Sequence, residues 1–141
     1  MKRDVRDLVE VTRVAFERER GQLAAFLETE TALRRDIARL DAHRAEMMRL
    51  PVAELRDLRA IGAEIAWTAW QDRRRRELTH RLARHLAGKE AVMARVRLAF
   101  GRHEAAASLM KQEVASQRRR AAGAAGRARD AQMILTAKSP A

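Results

Sequence analysis

From Val5 onward, apolar side chains return at alternating intervals of four and three residues without a slip. The positions are Val5, Val9, Thr12, Phe16, Glu19, Leu23, Phe26, Glu30, Leu33, Ile37, Leu40, Arg44 and Met47, of which nine of thirteen are apolar. A mean spacing of 3.5 residues makes a narrow seam along an α-helix, the pattern by which two helices interlock. The seam predicts a helix over residues 4–49, about 45 residues and nearly 70 Å at ~1.5 Å per residue. Gly21 lies off the seam and is expected to cost roughly 1 kcal/mol relative to alanine without ending the helix.

Leu50-Pro51-Val52-Ala53 is the one clear break, because proline lacks an amide proton and disfavours helical geometry in the residue before it. The turn is therefore placed at 50–53. The strides resume through Leu58, Ile61, Ile65, Thr68, Asp72, Arg75, Thr79, Leu82, Leu86, Lys89, Met93, Val96, Phe100, His103, Ala107, Met110, Val114 and Gln117, with eleven of eighteen apolar. A second helix over 54–120 follows, and a short connection makes it the antiparallel neighbour of the first. The fold class is all-α: a two-helix antiparallel coiled-coil hairpin with an overhanging second helix.

Folding at Pro51 brings together residues whose numbers sum to about 105. Leu40 then faces Ile65, Leu23 faces Leu82, Val9 faces Val96, and Glu30 faces Arg75. Opposite charges at two seam positions would offset each other's desolvation and help to fix the register. Coincidence in a charge-rich chain is the alternative account of that pair, and a wider tip marked by Gly62 would move the register by a heptad. Beyond the reach of the first helix, Ala107, Met110 and Val114 lack an intramolecular partner, which points to a partner chain or self-association. Residues 121–141, rich in Ala and Gly, are expected to be a frayed or flexible tail.

Composition reinforces the helical reading. Ala, Glu, Lys, Leu and Arg make up 85 of 141 residues, with only 2 Pro, 6 Gly and no Tyr, a balance that leaves little from which to build sheets. Without cysteine there is no disulfide, thiolate metal site or cysteine nucleophile. No H-E-x-x-H spacing or phosphate-cradling glycine loop occurs. No catalytic residue, metal ligand or cofactor is assigned, since a hairpin interior is one layer of side chains without a pocket. No run approaches the ~18 apolar residues of a membrane span, and the charged N-terminus does not resemble an export signal. A cytoplasmic location is expected.

The formal charge of +11 is concentrated beyond residue 50. The runs Arg73-Arg74-Arg75-Arg76 and Arg118-Arg119-Arg120 supply much of it. Four consecutive helical residues sweep about 300°, so the first run wraps its helix and cannot present a flat face to one duplex groove. Solvated or partner-facing arginine is the simpler reading, and phosphate binding without sequence preference is compatible with it. Trp67 and Trp70, with Gln71 and Arg74, lie on one helix surface just past the turn. They form either a contact surface or a cap packed on Met47, Met48 and Leu50; both can hold.

With these residues in place the chain resembles the FliJ/YscO family, coiled-coil stalk proteins of flagellar and type III secretion export ATPases. The similarity covers about residues 4–120: the N-terminal heptads, a short tip, the aromatic turn Ile65-Ala66-Trp67-Thr68-Ala69-Trp70-Gln71, and the stretch through Leu82, Leu86, Val96, Phe100 and Gln117-Arg118-Arg119-Arg120. The resemblance implies a rod with no enzymatic activity and no cofactor. It implies an open end, with Met110, Val114, Arg118, Arg119 and Arg120, that meets the export ATPase hexamer. The tip, with Trp67, Trp70, Gln71 and Arg74, would meet the cytoplasmic domain of the membrane export gate, and export chaperones are further implied partners. It also implies a peripheral position at the inner face of the cell membrane. Arg74, Glu77 and Arg81 depart from the family's pattern beyond the aromatics. Competing readings from the residues are a basic helical nucleic-acid binder and a homo-oligomeric scaffold.

Overall fold

The computed structural model describes residues 1–50 and 62–139. All the regular structure among them is α-helical: α1 (Lys2–Arg49), α2 (Ala63–Ala87) and α3 (Lys89–Ala137). Helix α1 runs unbroken through Gly21, because one exposed glycine costs less than the neighbouring helix formers and seam contacts return. The residues of α1 that are not exposed are the thirteen seam positions from Val5 to Met47, and no others.

The chain divides into two compact units, Met1–Arg18 with Arg97–Ala141, and Glu19–Val96. Within the first, α1 and α3 run antiparallel: Thr12 Oγ1 is 3.4 Å from His103 Nδ1, and the Phe16 and Phe100 rings have centroids 5.4 Å apart. Ala99 and Ala106 are its most buried residues, at 8% and 2% exposure. Within the second unit α1 is likewise antiparallel to α2 and the start of α3. Arg44 pairs with Asp72, Arg75 with Asp41, Lys89 with Glu30 and Arg95 with Glu19. Its centre is Leu33, Leu78 and Val92, with Glu30 and Gln71 as buried polar members.

These pairs correct the register. Their residue numbers sum to about 116 rather than 105, so Glu30 and Arg75 do not meet. Ile65, expected opposite Leu40, is 78% exposed. The turn at 51–53 and the start of the second helix at 54–61 lie outside the described residues. Gly62 adopts φ 69° immediately before α2, a left-handed conformation that a side chain disfavours, and the described part of the second helix begins at Ala63. An offset of about eleven residues is close to three α-helical turns. The faces in contact therefore barely rotate while every pairing changes.

Two further differences concern the second helix. It is divided at Gly88, whose amide donates to the His85 carbonyl at 3.1 Å, a three-residue step in place of the usual four. Opposite this step the His85 ring stacks on Phe26 at 3.8 Å, and its Nε2 lies 2.8 Å from the Phe26 carbonyl oxygen. A carbonyl can only accept, so Nε2 carries the proton. The helix also continues to Ala137, past Arg120 where a flexible tail was expected. Alanine is the best helix former and can sustain the helix without tertiary cover.

Candidate docking surfaces

Trp67, Trp70, Gln71 and Arg74 are brought together as the sequence predicts, because offsets of three, four and seven residues return to one helix face. They line an open groove of the second unit, with Asp36, Arg39, Leu40 and His43 of α1 and Leu78 of α2. Trp67 is half-buried and its ring lies against His43, centroids 5.6 Å apart at 50°. Trp70 is 51% exposed and stands on the rim. Met48, one of the expected packing partners, is itself 78% exposed. Arg74 Nη1 donates to Glu77 Oε2 at 3.3 Å.

Gln71 occupies the floor. It is 2% exposed, and among the described residues neither its Oε1 nor its Nε2 has a hydrogen-bond partner. A buried primary amide left unpaired costs about 1–3 kcal/mol. The seam here is wide enough for a long polar side chain and supplies no group to meet it. Glu19 Oε2 is also without a hydrogen bond, but Arg95 Nε lies 3.5 Å away and balances its charge.

Around the other side of α2, Arg44, Asp72, Arg75, Arg76, Thr79 and His80 line a second open groove. Arg75 grips Asp41 through Nε at 2.9 Å and Nη2 at 3.3 Å. Asp41 is held below the usual carboxyl range chiefly by that bond, and Arg75 is raised by the same pairing. Arg44 Nη1 donates to Asp72 Oδ1 at 3.0 Å. Two arginines of this groove are thus already committed to carboxylates. Glu30, only 12% exposed at its side chain, accepts from Lys89 and from Arg34, and these hydrogen bonds hold its carboxyl below the ordinary value.

The open-end residues all lie in the first unit. Met110, Val114 and Arg118 share a shallow groove with Lys111 and Ala115. Met110 and Val114 are half-buried, and Arg118, Arg119 and Arg120 are exposed. Arg120 Nη2 donates to Ser116 Oγ at 3.1 Å within the helix. From residue 118 to 139 every residue except Gly126 is exposed, so α3 outruns its cover there. His43, Asp36 and Arg39 were missed as members of the Trp67 groove. Their helix face was legible, but their place opposite α2 depends on the register.

Among the described residues no three His, Cys, Asp or Glu side chains converge as metal ligands would. No described helix is long and apolar enough to cross a membrane. Comparison with protein-family models, with curated proteins and with solved structures finds no match.

Proposed function

We propose that this chain is a non-enzymatic helical linker with a docking surface in each unit, of the kind used as stalks in flagellar and type III protein export. The observation that carries the reading is the Trp67–Trp70–Gln71–Arg74 groove. It combines a half-exposed indole on the rim, a flanking guanidinium and a buried amide that has no hydrogen-bond partner among the described residues. Exposed aromatics beside arginine are the side chains that dominate contact energies at protein interfaces. In the proposed role this groove receives the cytoplasmic domain of the membrane export gate. The end of α3, with Met110, Val114 and Arg118 to Arg120, meets the export ATPase ring. The linker transmits position while its partner hydrolyses ATP, and peripheral membrane association and chaperone contacts follow from those partners.

The test is capture of purified export ATPase and purified gate domain by the full chain. Binding to both is expected, with the Trp67→Ala, Trp70→Ala double variant losing the gate and keeping the ATPase. Binding to neither overturns the proposal.

A second reading is favoured by the exposed basic stretch of α3, where Arg118, Arg119, Arg120, Arg127, Arg129 and Lys138 face a single acidic residue, Asp130. Such a stretch would hold phosphates without reading bases. Affinity for duplex DNA that falls steeply with salt would support it.

A further inference from the structure

In the first unit the seam does not use all the apolar surface. Leu8 and Val11 on α1 are 43% and 65% exposed, and Leu98 and Leu109 on α3 are 55% and 48% exposed. Ala15 and Ala105 are exposed as well. At 100° per residue, Leu8, Val11 and Ala15 lie roughly a fifth to a third of a turn round α1 from its seam. Leu98, Ala105 and Leu109 lie at the same rotation, in the same sense, round α3. Because the two helices are antiparallel, equal rotations of equal sense bring both stripes onto one side of the pair. The register of Thr12 with His103 and of Phe16 with Phe100 then sets Leu8 opposite Leu109 and Val11 opposite Ala105. The other side carries Arg6 and Arg13, with Arg13 ion-paired to Glu10 and Glu17, and the half-exposed Phe100 of α3, while the stripe itself is interrupted by exposed Arg102 between Leu98 and Ala105.

The ends of the α1 stripe identify what covers it. Asp4 stands seven residues before Val11 and Arg18 seven after it, each two heptad-like turns along the same face and each exposed. The stripe therefore becomes its own charge complement when inverted about Val11. We propose that this face binds the same face of a second copy of the chain, with a two-fold axis crossing α1 at Val11. Val11 meets Val11, Leu8 packs near Ala15 of the second copy, and Asp4 of each chain meets Arg18 of the other. The alternative two-fold, parallel to the helices, sets Arg18 over Leu98 and Asp4 over Gln112 and makes neither ion pair. The present partner of Asp4 is the N-terminal amino group at 3.3 Å, with both groups almost fully exposed, and such a pair exchanges at little cost. The small side chains Ala15 and Ala105 let the two layers approach closely enough for the leucines to touch.

The chain contains no cysteine, so single cysteines report the geometry directly. In the full chain, Val11→Cys is expected to form an intermolecular disulfide under mild oxidation. Arg6→Cys, also exposed but on the other side of α1, about 140° round the helix from Val11, should not. Sedimentation equilibrium of the unmodified chain should show a dimer. Asp4→Arg should weaken it about tenfold, as two ion pairs per dimer become repulsions, and Asp4→Arg combined with Arg18→Asp should restore it. Far-ultraviolet circular dichroism of each variant should match the parent, since every altered residue is exposed. A monomer at all concentrations, crosslinking of Arg6→Cys as fast as Val11→Cys, or failure of the double variant to recover would overturn the proposal. The outcome is independent of whether the export partners bind.

Discussion

Lys89 Nζ lies 3.0 Å from Glu30 Oε2, and Arg34 Nη2 lies 3.0 Å from Oε1 of the same carboxylate. One cation comes from the facing helix and one from the next turn of α1. A carboxylate at a seam position is tolerable only because both oxygens are met. Glu30 and Asp41 both titrate lower in the folded chain than their ordinary values. The stability they contribute is therefore present above the unfolded carboxyl range and is lost as pH falls through the folded values. The urea midpoint should hold steady from pH 7 to about 5 and fall below about pH 4. In Glu30→Gln the fall should be shallower, and an identical acid limb in parent and variant would contradict the assignment.

Gln71 supplies a prediction of opposite sign. Replacing it with leucine removes an amide that is buried without a partner and fills the same volume with a side chain suited to Leu78, its neighbour one heptad on. Gln71→Leu should raise stability by about 1–2 kcal/mol, read as a higher urea midpoint at unchanged slope. A loss of stability would mean that the amide is satisfied in solution. If the groove is a docking surface, the same variant should weaken docking while strengthening the fold.

How far the sequence carried is clearest in α1, where all thirteen positions traced by the strides are the ones withdrawn from solvent. In the second helix Leu82, Leu86, Lys89, Met93, Val96, His103, Ala107, Met110, Val114 and Gln117 are withdrawn from solvent as expected, while Ile65, Arg75, Thr79 and Phe100 are exposed. Beyond Gly88 the deepest positions fall one place before a traced one: Val92 before Met93, Ala99 before Phe100 and Ala106 before Ala107. Both neighbours are apolar in several of these pairs, so periodicity alone favours the larger side chain, whereas close packing of two helices favours the smaller one facing the partner. Register was illegible for a related reason: a seam that repeats every seven residues fits its partner at several offsets. Deciding among them needed the ion pairs of Asp41 with Arg75 and of Asp72 with Arg44, of whose four members only Asp41 lies off the traced seam. The clustering of Trp67, Trp70, Gln71 and Arg74 needed only one helix and so was legible at once.

The register itself can be tested with pairs of cysteines in a chain that has none. Asp41 and Arg75 face each other across the helices, so Asp41→Cys with Arg75→Cys should close an intramolecular disulfide. Glu30→Cys with Arg75→Cys should not, because on a pairing sum of 116 those positions stand about eleven residues apart along the helices, roughly 16 Å at 1.5 Å per residue and beyond the reach of a disulfide. Rapid closure of the second pair and none of the first would restore the pairing sum of about 105.

The two tryptophans should separate packing from docking. Trp67 is half-buried against the His43 ring, so Trp67→Ala removes a contact between α1 and α2. It should lower stability by about 1–3 kcal/mol, short of the cost of a fully buried aromatic because the site is open on one side. Trp70 stands 51% exposed on the rim, and Trp70→Ala should move the urea midpoint by no more than about 0.5 kcal/mol equivalent. A partner that uses the groove should nonetheless respond strongly to Trp70→Ala, since the exposed half of the indole is open to contact. If Trp70→Ala destabilises as much as Trp67→Ala, the rim indole belongs to the fold and the groove has no spare aromatic to offer.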